Sequence, residues 1–295
     1  MGRYALRRVA GLVPVLCVMI VLCFVAIKLV PGDPVMVLLS DQAGDAELEA
    51  RLRADYGLDK PFVLQFVDYV AGLAVGDFGD SFRYANVPVT EIIGKSLLIT
   101  PILALAALTL AVPTGIVLGT FAALRRNRPA DVITVFLVVA GISIPNFALS
   151  ALFVYLFAIK LNLVPVAGWG SFSQAVLPVA VLAIAPMGYI TRLTRTYMLE
   201  VLGQDYIRTA RAKGLRNRLV IYRHALRNTL VPLLTTIGII FGGLLSGTFV
   251  VETIFNIPGL GRLAIDGIFA RDYPVTMAIV MLFTVFYALI NLAVD

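Results

Sequence analysis

The feature that most restricts this chain is where its charges are missing. Six stretches, 9–27, 96–124, 132–159, 161–191, 228–251 and 273–294, contain no Asp, Glu, Lys or Arg. Together they hold 153 of the 295 residues, so all 42 charged residues crowd into the other 142. Charged residues make up 14% of the chain, against about 25% in a soluble domain. A helix rising 1.5 Å per residue needs about 20 apolar residues to cross a hydrocarbon core of about 30 Å, and each stretch supplies about that many. The stretches lack the alternation of a lipid-facing strand, and as helices they satisfy every backbone group internally. The expectation is an all-α polytopic membrane protein with six transmembrane helices.

Arg3, Arg7 and Arg8 ahead of the first apolar run also suit a secretory signal peptide. The run extends through Val30 without an A-x-A-like cleavage site, which favours an uncleaved helix with Lys28 snorkelling to its far interface. Orientation follows from the basic residues: 1–8, 125–131 and 192–227 carry 15 basic to 3 acidic residues, and the alternate segments carry 9 to 14. The positive-inside rule therefore places both termini in the cytoplasm. The net charge of +6 reflects that anchoring and calls for no nucleic acid. Cys17 and Cys23 lie six apart within the first helix and imply neither a disulfide nor a metal site, and the single histidine, His224, reads as structural.

Between the spans, the external segment 31–93 contains a helical pattern over 41–58. A second pattern over 61–73 places Phe62, Phe66, Tyr69 and Val70 at helical spacing, and Gly-Asp-Phe-Gly-Asp at 76–80 reads as a turn. In the cytoplasmic segment 198–228, Asp205 is placed to cap a helix over 206–213 and Gly214 to end it at positive φ. A second helix follows with Leu215, Leu219, Tyr222 and Leu226 on one stripe and Arg216, Arg218, Arg223 and Arg227 largely off it. Two readings fit this unit. It is either a basic helix on anionic lipid, or a docking surface whose small side chains over 209–214 let another protein approach closely.

Other features mark the spans. Pairs of glycines four apart, Gly115/Gly119, Gly238/Gly242 and Gly243/Gly247, permit close helix contact, either as static packing or as a sliding seam. Ser143, Pro145 and Asn146 interrupt the third span and either meet solute or only kink it. Ser246, Thr248 and Glu252 complete the candidate translocation path. The loop 252–262 suits a gate, a docking surface or a plain turn. No span contains an Asp, Glu, Lys or Arg to bind a coupling ion, and no G-x-x-x-x-G-K-[ST] phosphate loop occurs. Energy for transport must come from elsewhere, or the chain is a stand-alone carrier or channel. A membrane enzyme is less well served, because no nucleophile has an acid or base partner within a span.

Gln-Asp-Tyr-Ile-Arg-Thr-Ala-Arg-Ala-Lys-Gly-Leu at 204–215 and Arg-His-Ala-Leu-Arg-Asn-Thr-Leu-Val-Pro at 223–232 resemble the cytoplasmic loop of ABC-importer permeases. The similarity is greatest to the first permease subunit of the dipeptide, oligopeptide and nickel importers. Further matches are Val-Pro-Gly-Asp-Pro-Val at 30–35, Tyr-Gly-Leu-Asp-Lys-Pro at 56–61 and Gly-Asp-Phe-Gly-Asp-Ser-Phe at 76–82. They continue with Ser-Ile-Pro-Asn-Phe at 143–147, Val-Glu-Thr-Ile-Phe-Asn-Ile-Pro-Gly-Leu-Gly-Arg at 251–262 and Arg-Asp-Tyr-Pro at 271–274. Arg208, Thr209 and Ala210 stand where permeases of the broad class commonly carry Glu-Ala-Ala, so only Ala210 and Gly214 match there. Relatives look as though they continue into a short cytoplasmic tail beyond the position of Asp295.

The resemblance implies a type I ABC importer permease fold. Its first helix and external loop would occupy 1–93, and a five-helix core over 94–295 would contain the coupling loop 198–228. It implies a second homologous permease, two cytoplasmic ATPase subunits that bind ATP and Mg, an extracytoplasmic solute-binding protein, and residence in a bacterial or archaeal inner membrane. This chain itself would hold no cofactor, metal or catalytic residue. Asp205, Tyr206, Ile207, Thr209, Ala210, Arg211, Ala212, Lys213, Gly214 and Leu215 would form the ATPase-docking element. Tyr206, Ile207 and Ala210 would sit in a cleft of the ATPase, with Arg211 and Lys213 paired to acidic groups around it. Di- or oligopeptides are the implied solute, although relatives also carry nickel, glutathione, haem or sugars.

Overall fold

The computed structural model describes residues 2–29, 35, 39, 46–84 and 87–294, and it leaves aside the side chains of 2–9, 12, 27 and 28. The expected snorkelling of Lys28, most of the motif at 30–35 and the start of the helical pattern at 41–45 lie outside the described residues. Regular structure among the described residues is helical, apart from one bridge between Asp80 and Pro88.

Among the described residues, four helices are long and apolar enough to cross a membrane: Val89–Leu124, Phe172–Leu202, Asn217–Gly247 and Tyr273–Val294. A fifth crossing is available only if the pair Pro129–Ser143 and Asn146–Lys160, bent by 99°, counts as one span. Of the six expected transmembrane helices, the described residues thus supply four, or five with the bent pair. Pro145 has no N–H to donate and forces Ile144 into an extended conformation (φ −86°, ψ 122°), so the third span breaks. The first helix, α1, runs over Gly2–Leu29 (28 residues), and its described side chains include the apolar stretch Val13–Ala26.

The chain divides into two compact units. The first joins residues 1–100 to 258–292. It contains α1, α2 (Ala46–Asp55), α3 (Phe62–Ala74), α4 (Val89–Ser96), α13 (Leu260–Phe269) and most of α14 (Tyr273–Val294). The aromatic stripe expected over 61–73 packs on Phe24 of α1, with ring centroids 5.2 Å away for Phe62, 5.3 Å for Phe66 and 5.9 Å for Tyr69. Val70 stays exposed. The turn at 76–80 forms as expected, with Gly76 and Gly79 at φ 80° and 78° and the Asp77 carboxylate accepting the Gly79 amide at 2.8 Å.

Sequence motifs 190 residues apart meet in this unit. The buried Asp272 carboxylate accepts the Ser81 hydroxyl and the Phe82 and Arg83 amides, the last two at 3.1 and 3.4 Å. Burial, joined by the Asp80, Asp272 and Asp55 carboxylates, holds the Tyr56 hydroxyl above its usual pKa. In the same unit Val89, Ile93, Leu260, Val275, Ala278 and Ile279 form an apolar cluster.

The second unit comprises residues 101–257 and 293–295. It takes most of α5 (Ile99–Leu124), then α6 (Pro129–Ser143) and α7 (Asn146–Phe153), which runs on as a π-helix over Val154–Lys160. Next come α8 (Phe172–Leu202), α9 (Asp205–Ala212), α10 (Asn217–Leu219), a second π-helix over Val220–Leu226, α11 (Arg227–Gly247) and α12 (Phe249–Ile254). A reciprocal capping box between Ser171 and Gln174 starts α8.

Glycines set how closely α8 is approached. A Cβ on Gly115 would lie 2.8 Å from Ile190, one on Gly119 2.5 Å from the Thr191 carbonyl, and one on Gly188 2.6 Å from Ile142. Gly115/Gly119 is thus a packing seam. A Cβ on Gly243 or Gly247 would meet nothing within 4 Å among the described residues, so that pair forms no such seam there. The Gly168 amide donates to the Phe255 carbonyl at 2.8 Å, which ties the segment before α8 to the end of α12.

Candidate partner-docking site

The docking element begins where α8 ends. Gln204, extended at φ −74° and ψ 150°, occupies the cap position, and no side chain caps the helix. Asp205 is the first helical residue and not the cap, a correction of one position. Its carboxylate still lies in the first turn, where negative charge suits the helix dipole. At the other end Gly214 takes φ 77°, its amide donates to the Arg211 carbonyl at 2.9 Å, and the Leu215 amide donates to the Ala210 carbonyl at 3.3 Å. These are the paired bonds of a Schellman end, which needs a residue tolerant of left-handed backbone at the glycine position.

Two of the expected contact residues face inward. Ile207 and Ala210 are 0% and 7% exposed and join Ala123, Met198, Val220, Ile221 and Ala225 in one apolar cluster. They cannot also fill a partner's cleft while they hold α9 to its own chain, so their assignment to that cleft is corrected. Asp205, Tyr206, Thr209, Arg211, Ala212, Lys213, Gly214 and Leu215 are exposed. The Tyr206 hydroxyl accepts from the Asn228 side chain at 3.0 Å, which fixes the ring's direction while its body stays exposed.

The stripe Leu215, Leu219, Tyr222 and Leu226 is also not the buried face. Over Val220–Leu226 the backbone is π-helical, and Val220, Ile221 and Ala225 turn inward while Leu219 and Tyr222 are exposed. The wider π turn shifts the face that a 3.6-residue period predicts. Leu226 alone of the four packs against the cluster. Arg208, Arg211, Lys213, Arg216, Arg218, Arg223 and Arg227 are all exposed, and Asp205 is the lone acid over 203–228. The outer surface of this unit is therefore strongly cationic.

An ion pair that the motifs do not reveal stands beside it. The guanidinium of Arg195 in α8 grips Asp131 of α6 through two bonds, Nε to Oδ1 at 2.6 Å and Nη2 to Oδ2 at 2.7 Å. The only sequence signal for it is one acid in a segment, 125–131, that otherwise carries three arginines.

The candidate path residues divide. Ser143 and Pro145 are exposed and Asn146 half-buried at the break between α6 and α7. Ser246 is exposed, its hydroxyl donating to the Gly243 carbonyl at 3.3 Å. Thr248 and Glu252 are both 0% exposed, the hydroxyl donating to the carboxylate at 2.8 Å. They brace the turn between α11 and α12 and do not face a path, which corrects that assignment.

Comparison with known proteins agrees with these features. Residues 115–295 match the family described as binding-protein-dependent transport system inner membrane component, and residues 1–105 match its N-terminal companion. The dipeptide transport system permease protein DppB of Bacillus subtilis (strain 168) is 42% identical over 98% of this chain and 92% of its own. The glutathione transport system permease protein GsiC of Salmonella choleraesuis (strain SC-B67) is 42% identical over 100% of this chain and 96% of its own. The protein of the same name from Escherichia coli (strain K12) is 39% identical over the same shares. The chain belongs to the family of binding-protein-dependent transport system inner membrane components.

Proposed function

We propose that this permease imports peptides, glutathione included among them, as one of two similar permease subunits driven by a pair of cytoplasmic ATPases. A solute-binding protein would deliver the peptide on the external side. The relatives' names motivate the solute class, which spans a dipeptide and a tripeptide. In this reading α1 is the sixth crossing, both termini are cytoplasmic and the core has the type I importer fold. The excess of 15 basic over 3 acidic residues on one set of segments supports that orientation.

The observation that carries the partner assignment is the construction of α9. Its inward residues are locked into the apolar cluster, its end is closed by Gly214, and its outer side offers Tyr206, Arg211 and Lys213. A pre-ordered, cationic helix presents a rigid surface to a partner with an acidic cleft and loses little entropy on docking. ATP-driven closure of two ATPases would then displace the helix as a body.

Copurification tests this. The double substitution Arg211→Glu with Lys213→Glu should lower recovery of the ATPase subunits about tenfold or more while leaving the permease in the membrane. Full recovery of active ATPases with that variant would show that docking lies elsewhere.

A further inference from the structure

We propose that the Asp131–Arg195 pair is a strut that makes the docking helix and the broken helix α6–α7 move as one piece. The coupling role rests on the importer reading above; the strut itself does not. Ion pairs such as Arg51–Glu47 and Lys95–Glu91 join exposed neighbours within one helix and fix nothing else. Asp131–Arg195 differs in reach and burial. It links positions 64 apart, and the Asp131 side chain is only 3% exposed.

The Asp131 carboxylate serves two structures at once. Both oxygens accept from the Arg195 fork, and Oδ2 also accepts the backbone amide of Asn127 at 2.9 Å. Asn127 is left-handed at φ 61°, so that bond closes the turn between α5 and α6. A two-point guanidinium–carboxylate contact fixes orientation as well as distance, and it adds to the close packing of Gly188 of α8 against Ile142 of α6. Separating the partners would leave the carboxylate buried and unpaired, so neither helix end is free to move alone.

The pair sits on a route by which motion of α9 can reach α6. Arg195 stands three residues before Met198, and Met198 packs with Ile207 and Ala210 of α9 in the apolar cluster. That cluster fastens α9 to the end of α8, and Arg195 fastens the same end of α8 to the start of α6. The other end of α6 is the 99° break that exposes Ser143 and Pro145. A displacement of α9 is thereby delivered to α6 and from there to the break. Asp131 and Arg195 are positioning residues, since they act through the helices they join.

Two measurements on Asp131→Asn decide the matter. In the chain alone, hydrogen exchange of the amides over 125–131 should rise about tenfold, and the swap Asp131→Arg with Arg195→Asp should reverse most of that rise. Exchange equal to wild type would overturn the strut. In the complete importer in proteoliposomes, ATP hydrolysis should stay within about twofold while the amount of a radiolabelled dipeptide moved per ATP falls about tenfold, again with recovery in the swap. If hydrolysis and uptake fall in proportion, the pair is merely structural and the coupling role is wrong. Where Asp131→Asn does not assemble, Arg195→Lys, which keeps the charge and loses the fork, gives the same two readings. A wild-type chain that recruits no ATPase would remove the importer reading instead, and the exchange result on the chain alone would still decide the strut.

Discussion

Gly214 holds φ 77° with nothing near where a Cβ would be, so a side chain there meets backbone strain and no clash. Gly214→Ala should therefore cost about 1 kcal/mol, seen as roughly fivefold faster hydrogen exchange of the amides over 211–215. Asp272 presents the opposite case, a side chain whose loss orphans its partners. Asp272→Ala leaves the Ser81 hydroxyl and the Phe82 amide without their acceptor, at about 1–3 kcal/mol. Exchange of the Phe82 and Arg83 amides should rise about tenfold or more; unchanged protection would show that another group holds that loop. The glycine was legible from sequence because positive φ is a demand that few residues meet. Asp205 was misplaced by one position because aspartate suits both the cap and the first turn. The inward direction of Ile207 and Ala210 was not legible, since a docking motif does not say which of its faces is already occupied. Asp131–Arg195 and Asp272–Ser81 were invisible for a simpler reason: sequence spacing carries no information on pairs 64 or 191 positions apart.

At the scale of elements, glycine pairs of identical spacing have different roles. Gly119 abuts the backbone of α8, which cannot retreat, whereas Gly243 faces open space among the described residues. Gly119→Ala should overpack the seam by about 1–3 kcal/mol and lower the thermal unfolding midpoint of the detergent-solubilised chain by several degrees. Gly243→Ala should leave that midpoint unchanged, and equal effects of the two would contradict the packing described. Spacing reveals that close contact is possible without saying with which helix. The interruption at 143–147 was legible because proline acts on its own backbone, but the 99° turn that follows depends on how α7 packs, which no local rule supplies. The π-helix over Val220–Leu226 defeated the 3.6-residue stripe for the same reason, because the cluster around Met198 selects the inward face.

For the whole molecule, the charge-free stretches led directly to an all-helical membrane protein. Among the described residues, four of the six correspond to helices long and apolar enough to cross, and one is broken at Pro145. The return of 258–292 to the unit formed by residues 1–100 had no signal in the sequence, since local patterns do not encode chain return. What the stretches do carry is the absence of an Asp, Glu, Lys or Arg to bind a coupling ion within any span. In the importer reading proposed above, transport is then driven from outside the chain, through a surface such as the cationic face of α9. The most direct measurement is uptake of a radiolabelled dipeptide and of glutathione into proteoliposomes, with this chain alone and with the complete assembly. The chain alone should pass neither solute, and the assembly should take up at least one of the two only while ATP is hydrolysed. Flux through the chain alone at a rate indifferent to ATP would contradict it.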